Sequence, residues 1–332
     1  MRARPNKARY GGFPQLFSGT EAVHPPCLLF HLPVAVDGYR SLPDPRALVA
    51  ALRMKPSAAP GRLDYAFCAL SDRGRVRGNN EDAVAVLEDL RIAVLADGMG
   101  GYNAGEVASS MAIEAIGSDM SRWLREAGTG VAGADIRRAL EAAVNNANYA
   151  ILSAALAHSE YTGMGTTLVV GVFQNDRLIL GHIGDSRCYR WRGGTLQQIT
   201  RDHSWLQEQI DAGLLSPEEA AASGYRNLVT RALGVDATVQ VEINEFPVEA
   251  QDLFLFCSDG LTDMVDDATV AQVLSMPIAL PLKASRLIEL ANEMGGRDNI
   301  TVLLAQSLAA PGAVARSRGL MARLFGTGGP GE

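Results

Sequence analysis

The order of strand-like and helix-like segments predicts an α+β fold of antiparallel sheets with helices outside. Apolar runs bounded by Gly, Asp or Asn are typical of buried strands, and nine such runs occur. Two long helical segments follow one another after the third run, unlike the regular strand-helix alternation of a doubly wound parallel sheet. Strands are predicted at 64–70, 83–87, 91–96, 166–173, 177–183, 187–191, 238–244, 252–257 and 300–306.

Helices are predicted where apolar residues recur at steps of three and four. The two longest are 103–126 and 134–157. Val107 and Met111 lie on the predicted buried face of the first helix, and Ile136 lies on that of the second. Shorter helices are predicted at 203–212, 217–222, 267–274 and 282–294. Residues 212–229, which contain glycine, serine and a short acidic helix, predict either a flap beside the site or an ordinary surface loop.

The ends of the chain differ from its body in composition. Residues 1–60 are rich in proline and show no period, which predicts an irregular, disordered extension with Met1 or Met54 as its start. Residues 61–308 are predicted to form the folded domain, and 309–332 a flexible basic tail. The chain carries a net charge of −7; residues 1–60 hold +5 and 309–332 hold +2, which leaves −14 for the body. An acidic folded domain argues against nucleic-acid binding.

The cysteines and apolar runs exclude other classes of protein. Cys27, Cys68, Cys188 and Cys257 show no C-x-x-C spacing, so neither structural zinc nor a redox dithiol is predicted. Cys68 and Cys257 lie in apolar strands and are expected to be core residues. No apolar run reaches the roughly 20 residues that a membrane span needs. The N-terminus lacks the apolar stretch of a signal peptide, which predicts a cytoplasmic protein.

Acidic residues stand at the ends of five apolar runs. They are Glu81 with Asp82, Asp97, Asp185, Asp259 and Asp298. Strands from distant parts of the chain can bring these carboxylates to one rim. Because isolated carboxylates repel one another and resist desolvation, a cluster of four or more predicts bound divalent cations. Oxygen ligands favour magnesium, manganese or calcium over zinc.

An arginine precedes the first acidic pair by four residues. Arg77 lies in the segment 71–82, and its planar guanidinium suits a phosphate whose other oxygens face the metals. Taken alone, the segment equally fits a polar turn with a surface ion pair.

Five further motifs follow in order along the chain. They are Leu95-Ala-Asp-Gly-Met-Gly-Gly101, Gly163-Met-Gly-Thr-Thr-Leu168, Gly184-Asp-Ser-Arg187, Ser258-Asp-Gly-Leu-Thr-Asp263 and Arg297-Asp-Asn-Ile-Thr301. Together with 71–82 they closely resemble the metal-dependent protein phosphatases of type 2C, in their bacterial form, over about residues 64–306. The resemblance implies a four-layer α/β/β/α sandwich of two antiparallel sheets flanked by helices, with metals in a cleft at one end.

The resemblance also implies the metal ligands. Asp97 would bridge two ions, the Gly98 carbonyl would hold the second ion, and Asp259 and Asp298 would hold the first. Asp185 matches the position linked to a third, weaker ion.

Three further residues take their roles from the same resemblance. Glu81 and Asp82 would orient metal-bound waters, as outer ligands commonly do. Arg77 matches the arginine that binds phosphate and would complement charge on the transferring phosphoryl group. Animal members carry histidine where this chain has Met99, and methionine cannot donate a proton to the leaving alcohol.

The implied activity is hydrolysis of phosphoserine and phosphothreonine in proteins, with two Mn²⁺ or Mg²⁺ ions tightly bound, a third more weakly, and an activated water that attacks phosphorus directly. The expected partners are phosphorylated proteins that a Ser/Thr kinase has modified, and a monomer is expected, with neither nucleic acid nor a membrane span. Two alternatives remain: a regulatory pseudophosphatase that binds a partner, and a partner-switching phosphatase acting on small regulatory proteins. The presence of Asp97, Asp259 and Asp298 disfavours the pseudophosphatase.

Overall fold

The computed structural model describes residues 63–101, 104–128, 130–221, 223 and 228–308. The extension predicted for 1–60 and the tail predicted for 309–332 lie outside the described residues. In chain order the strands are β1 (Asp64–Asp72), β2 (Asp82–Leu87), β3 (Ile92–Met99), β4 (Gly165–Thr166), β5 (Leu168–Gln174), β6 (Arg177–Ile183), β7 (Arg187–Arg192), β8 (Thr195–Gln198), β9 (Glu242–Pro247), β10 (Leu253–Cys257) and β11 (Ile300–Leu308).

The α-helices follow the predicted order closely. They are α1 (Ala104–Ala127), α2 (Gly133–Ala157), α3 (Trp205–Asp211), α4 (Pro217–Ala221), α5 (Asp259–Thr262), α6 (Asp267–Ser275) and α7 (Leu280–Glu293). Short 3₁₀ turns lie at Glu88–Leu90 and Ser159–Tyr161. None of the helices in the described part of the chain is long and apolar enough to cross a membrane.

The strands form two sheets in which every neighbouring pair is antiparallel. One sheet has the order β1-β11-β10-β7-β8, and the other has the order β2-β3-β5-β6-β9, with β4 paired to β3. The predicted fold class is therefore confirmed. Strand β11 lies between β1 and β10 and pairs with both. Along β1, Asp64 pairs with Leu308 and Asp72 with Ile300.

Three apolar cores define four layers. Residues of both sheets, including Leu95, Phe173, Phe254 and Phe256, pack together in the core between the sheets. A second core joins the outer face of the β2-β3-β5-β6-β9 sheet to α1 and α2, and a third joins the other sheet to α6 and α7. Alternating side chains of one strand thus serve two cores, which explains the continuous apolar runs in the sequence.

Three details differ from the predictions. Strand β9 begins at Glu242 rather than at 238, because Val239 and Val241 pack against the helix-side core instead of pairing with β6. Helix α1 buries a stripe of small residues that includes Ala108 and Ala112, whereas the predicted face residues Val107 and Met111 are only partly buried. The edge strand β8 was not predicted, since its four residues are mostly polar.

Candidate active site

The ends of strands from both sheets meet at one rim, and each end carries an acid. Asp82 at the start of β2 pairs with Asp97 near the end of β3. In the other sheet, Asp259 follows β10 and Asp298 precedes β11, which are antiparallel neighbours. Asp185 follows β6 and is 8% exposed.

Asp82 joins the two sheets at this rim. Its Oδ2 accepts hydrogen bonds from Thr301 Oγ1 at 2.6 Å and from Ser258 Oγ at 2.8 Å, and these donors lie at the start of β11 and just after β10 in the opposite sheet. Burial raises the pKa of Asp82 to about 6, and the nearby Asp298 carboxylate contributes to this rise. Its Oδ1 is buried and has no hydrogen-bond partner among the described residues. A buried acceptor without a donor is costly, so this oxygen fits a bound cation or the solvent around it.

The other carboxylates repel one another. Burial, and then the charges of Asp82 and Asp259, raises the pKa of Asp97 well above its usual value. Burial, and then the charge of Asp185, raises the pKa of Asp259 in the same way. Burial and the Asp202 carboxylate raise the pKa of Asp185 to about 6. Because all the donors are hard oxygens, the cluster fits Mn²⁺ or Mg²⁺.

Asp263 also faces this cluster, and the sequence analysis did not name it as a site residue. Its charge raises the pKa of both Asp185 and Asp259. It follows Asp259 by four residues, across the one-turn helix α5. This spacing could have identified Asp263 from the sequence, because residues four apart lie on the same side of a helix.

The backbone at Gly98 lies against two other segments. Its N–H donates to the Glu81 carbonyl at 3.1 Å. A Cβ at this position would stand 2.1 Å from the Gly105 oxygen and 2.6 Å from the Glu81 oxygen. Only glycine permits this approach, which brings the start of α1 to the rim.

Arg77 lies beside the acidic cluster, as predicted, although its side chain is 49% exposed. Its Nη2 donates to Asp298 Oδ2 at 2.6 Å. Burial raises the pKa of the nearby Glu81, while Asn79 and Arg77 oppose that rise. Arg77 and Glu81, both from the segment 71–82, thus lie near Asp298, which is one of the predicted metal ligands.

Asn299 holds this segment in place, a role that the sequence analysis did not assign. Its Oδ1 accepts from the Glu81 N–H at 2.8 Å. Its Nδ2 donates to the carbonyls of Arg73 and Asn79 at 3.0 and 2.9 Å. Asn299 therefore satisfies three backbone groups of the loop that presents Arg77. The only sequence signal for this role was the position of the asparagine directly after Asp298 in the motif Arg297–Thr301.

Comparisons with known proteins identify the family of this chain. The protein phosphatase 2C family profile matches residues 74–292. The "Serine/threonine protein phosphatase PstP" of Mycobacterium tuberculosis strain H37Rv is 43% identical over 239 residues, which are 72% of this chain and 44% of that protein. The chain thus spans less than half the length of that relative. The "Serine/threonine phosphatase stp" of Listeria innocua is 38% identical over 71% of this chain and 93% of its own length.

A solved structure of the catalytic domain of PstP in complex with two manganese ions is 41% identical. It covers 74% of this chain and 100% of its own, with a TM-score of 0.66. The family profile spans more than half of the chain, and the fold agrees with it. The chain belongs to the protein phosphatase 2C family.

Proposed function

We propose that this chain is a metal-dependent protein serine/threonine phosphatase. The observation that carries the proposal is the rim where buried and half-buried carboxylates from both sheets meet, with the Arg77 guanidinium at its exposed side. A buried cluster of negative charge needs cations, and an adjacent arginine suits an incoming phosphate dianion.

The chain's own residues divide the work. Asp97 would bridge two divalent cations, the Gly98 carbonyl would hold the second, and Asp259 and Asp298 would hold the first. Asp185 would contribute to a third, weaker site. A pair of bound Mn²⁺ or Mg²⁺ ions supplies Lewis acidity and lowers the pKa of water at neutral pH.

Other side chains orient the reactants. Glu81 and Asp82 would order solvent at the rim. Thr301 and Ser258 donate hydrogen bonds to Oδ2 of Asp82, and these bonds fix the orientation of the carboxylate and therefore the position of Oδ1. Arg77, now paired with Asp298, would donate to the phosphoryl oxygens of a substrate. Met99 has no proton to give, so the departing alkoxide would take its proton from ordered solvent.

A covalent route through cysteine has no support in the described part of the chain. Cys188 and Cys257 are fully buried in strands. Burial raises the pKa of the Cys257 thiol to about 12, that of Cys188 well above its usual value and that of the half-buried Cys68 above its usual value, so these thiols stay protonated. Direct attack by water on phosphorus is the route that the site favours.

The predicted ligands all reach one rim, which supports an enzyme over a pseudophosphatase. The expected substrates are phosphoproteins that a Ser/Thr kinase has modified, encountered by a monomer in the cytoplasm. A partner-switching role would use the same chemistry on a small regulatory protein.

The test of this function is hydrolysis of a phosphothreonine peptide and of p-nitrophenyl phosphate by the full chain. Activity should require added Mn²⁺ or Mg²⁺, because water needs activation by the metal. It should vanish after chelation and gel filtration and return with manganese. Ca²⁺ should support little turnover, since it is larger and binds in less rigid geometry. Full activity in exhaustively metal-stripped protein would refute the proposal.

Replacing Arg77 should chiefly weaken substrate binding. We expect Arg77→Ala to raise KM more than it lowers kcat, because the guanidinium contacts phosphate in ground and transition states alike. Arg77→Lys should recover only part of the loss, since ammonium lacks the bidentate fork. Arg190→Ala is the matched control, because Arg190 is a half-buried arginine on β7 that donates to Gln197 on β8. Steady-state kinetics decide; an unchanged KM in both Arg77 variants would exclude Arg77 from the site.

Metal should stabilise the protein more as pH rises. Asp82 and Asp185 have pKa values near 6 in the folded chain, against roughly 4 when unfolded. The folded metal-free state therefore binds protons more tightly, and its free energy of unfolding falls as pH rises from about 4 to about 6. Cations compete with these protons. We expect the Mn²⁺-induced rise in Tm to be larger at about pH 7 than at about pH 5, measured on metal-stripped protein. A pH-independent gain would contradict this assignment.

A further inference from the structure

Two loops that contact each other at the rim carry four exposed arginines. The first loop, residues 72–78, contributes Arg73, Arg75 and Arg77, and the second, residues 295–298, contributes Arg297. The Arg75 N–H donates to the Gly296 carbonyl at 2.7 Å, and a Cβ on Gly74 would stand 2.1 Å from the Asp298 carbonyl oxygen. We call these four side chains the arginine surface.

The backbone of the first loop is held by buried or half-buried polar side chains. Asn299 Nδ2 donates to the Arg73 carbonyl at 3.0 Å. Asp72 Oδ1 accepts from the Gly74 N–H at 2.9 Å and from Asn292 Nδ2 at 3.0 Å. The backbone that carries the arginines is therefore fixed before any substrate binds.

The guanidiniums of Arg75 and Arg297 are accessible to a ligand. Arg75 Nη1 lies 3.8 Å from Asp72 Oδ1, which is beyond hydrogen-bond distance, and its side chain is 58% exposed. Arg297 makes no side-chain hydrogen bond or salt bridge within the described part of the chain. Arg77 differs from both, because it pairs with Asp298 at 2.6 Å.

The arginine surface is positive although the folded domain is strongly acidic. The two loops hold four arginines and two aspartates, which gives +2, against −14 for residues 61–308. Glu293, the acid that precedes the second loop, pairs with Arg286 at 3.2 Å. A positive surface at one side of an acidic rim indicates a binding partner with local negative charge.

The position of this surface indicates which part of a substrate it contacts. Arg75 lies two residues from Arg77, the proposed phosphate ligand, and Arg297 directly precedes Asp298, a proposed metal ligand. An extended peptide advances about 3.5 Å per residue, so the three residues on either side of a phosphorylated residue lie within about 10 Å of it. Arg75 and Arg297 would therefore face these flanking residues, while Arg77 binds the phosphate.

We propose that Arg75 and Arg297 are specificity-determining residues that favour substrates with aspartate or glutamate beside the phosphorylated serine or threonine. The inference rests on the proposed phosphatase function, since the phosphate brings the peptide to the rim. The planar guanidinium suits a carboxylate because it can bond both oxygens. The net charge of the domain predicts the opposite, a preference for basic substrates through long-range attraction, so the two explanations differ in sign.

The deciding measurement is kcat/KM for three phosphothreonine peptides whose flanking residues are aspartate, alanine or lysine. The unmodified chain should prefer the aspartate peptide to the alanine peptide by about fivefold, as two exposed charge pairs allow, and should use the lysine peptide least. Arg75→Gln and Arg297→Gln keep a long side chain but remove the charge, so each should lower this ratio about twofold. The Arg75→Glu, Arg297→Glu double variant should prefer lysine to aspartate.

Two controls separate specificity from general effects. p-Nitrophenyl phosphate has no flanking residues, so dividing each kcat/KM by its value for this substrate cancels any change in the chemistry itself. Arg122→Gln is the matched charge control, because Arg122 is 66% exposed on α1. It lies 17 positions after Gly105, which is roughly 25 Å along the helix from the rim. This variant should leave the order of the three peptides unchanged.

Salt dependence and the placement of the aspartates give two further readouts. The Debye length falls from about 8 Å at 0.15 M salt to about 3 Å at 1 M, so the aspartate preference should shrink with salt in the unmodified chain but not in the Arg75→Gln, Arg297→Gln double variant. Because the two loops are in contact, aspartates on one flank alone should carry the preference, and both single variants should affect that same flank.

The results that overturn the inference are distinct from failure of the proposed function. A preference of the unmodified chain for alanine or lysine peptides, or an aspartate preference that survives in the Arg75→Gln, Arg297→Gln double variant, would overturn it. If the unmodified chain hydrolyses neither p-nitrophenyl phosphate nor any peptide with manganese, the proposed function fails instead. Fluorescence anisotropy of the labelled peptides then decides the role of the arginine surface: tighter binding of the aspartate peptide by the unmodified chain than by the double variant supports it, and equal binding refutes it.

Discussion

Asp97→Ala is expected to lose at least about 10³-fold in kcat, roughly 4 kcal/mol in activation free energy. Asp97 is the ligand assigned to both tight cations, so its loss removes the charge that they share. The backbone there is well held: its N–H donates to Thr167 Oγ1 at 3.0 Å, and its carbonyl accepts from the Thr167 N–H and from Thr166 Oγ1, both at 2.9 Å. Truncation should therefore remove the carboxylate without moving β3.

The same variant should also differ from the unmodified chain in how its stability depends on metal. Burial and repulsion raise the pKa of Asp97 well above its usual value, so its ionised form destabilises the metal-free fold. Metal-free Asp97→Ala should be at least as stable as the unmodified chain, yet gain little Tm from Mn²⁺. Asp89→Ala, at an exposed position in the turn before β3, is the control.

Calorimetric titration and kcat on a phosphopeptide test this assignment together. Asp259→Asn and Asp298→Asn keep the shape but remove one charge each, so they should be severely impaired and partly rescued by millimolar manganese. An Asp97→Ala protein that still binds two ions tightly would show that the bridging ligand is elsewhere.

Gly98→Ala is expected to lose about 10²-fold or more in kcat, roughly 3 kcal/mol. A Cβ would enter the space of the Gly105 and Glu81 carbonyl oxygens, at 2.1 and 2.6 Å. Backbone on both sides cannot retreat as a flexible side chain would, so the rim and the start of α1 must shift. The Gly98 carbonyl, assigned to the second cation, would move with them.

Gly101→Ala provides a control within the same motif, because a Cβ there meets nothing within 4 Å. It should retain nearly full activity and Tm. Gly98→Ala should lower Tm as well as the affinity for one tight cation. If both alanine variants retained activity, the close approach at Gly98 would have no part in metal binding.

The sequence predicted the elements and the ligand candidates for an identifiable reason. Each acid directly follows or precedes an apolar run, and burial of the run fixes where the acid emerges. Asp97 and Asp259 could therefore be named before any contact was known. Helix α2 was equally clear, since Ile136, Leu140 and Ile151 recur on a single face and are fully buried.

Other features could not be predicted because they depend on contacts between distant segments. Asn299 bonds the backbone of residues more than two hundred positions away, and its type alone did not indicate these partners. Val239 and Val241 alternate like strand residues, yet they pack as a loop because β6 pairs with the residues that follow. A local sequence pattern indicates which residues are buried, but it does not indicate which distant segment they pack against.

The sequence by itself determined the fold class, the family and most of the candidate acids, because apolar periodicity and the order of motifs can be read along the chain. Only the tertiary structure decided how these acids are held. The antiparallel registers bring Asp82 beside Asp97 and under Thr301, and leave one Asp82 oxygen buried without a donor. The two hydrogen bonds between His203 and Gly184 likewise form only when the residue after β6 meets the segment after β8. Such contacts form where separate segments pack together, and no spacing along the chain encodes them.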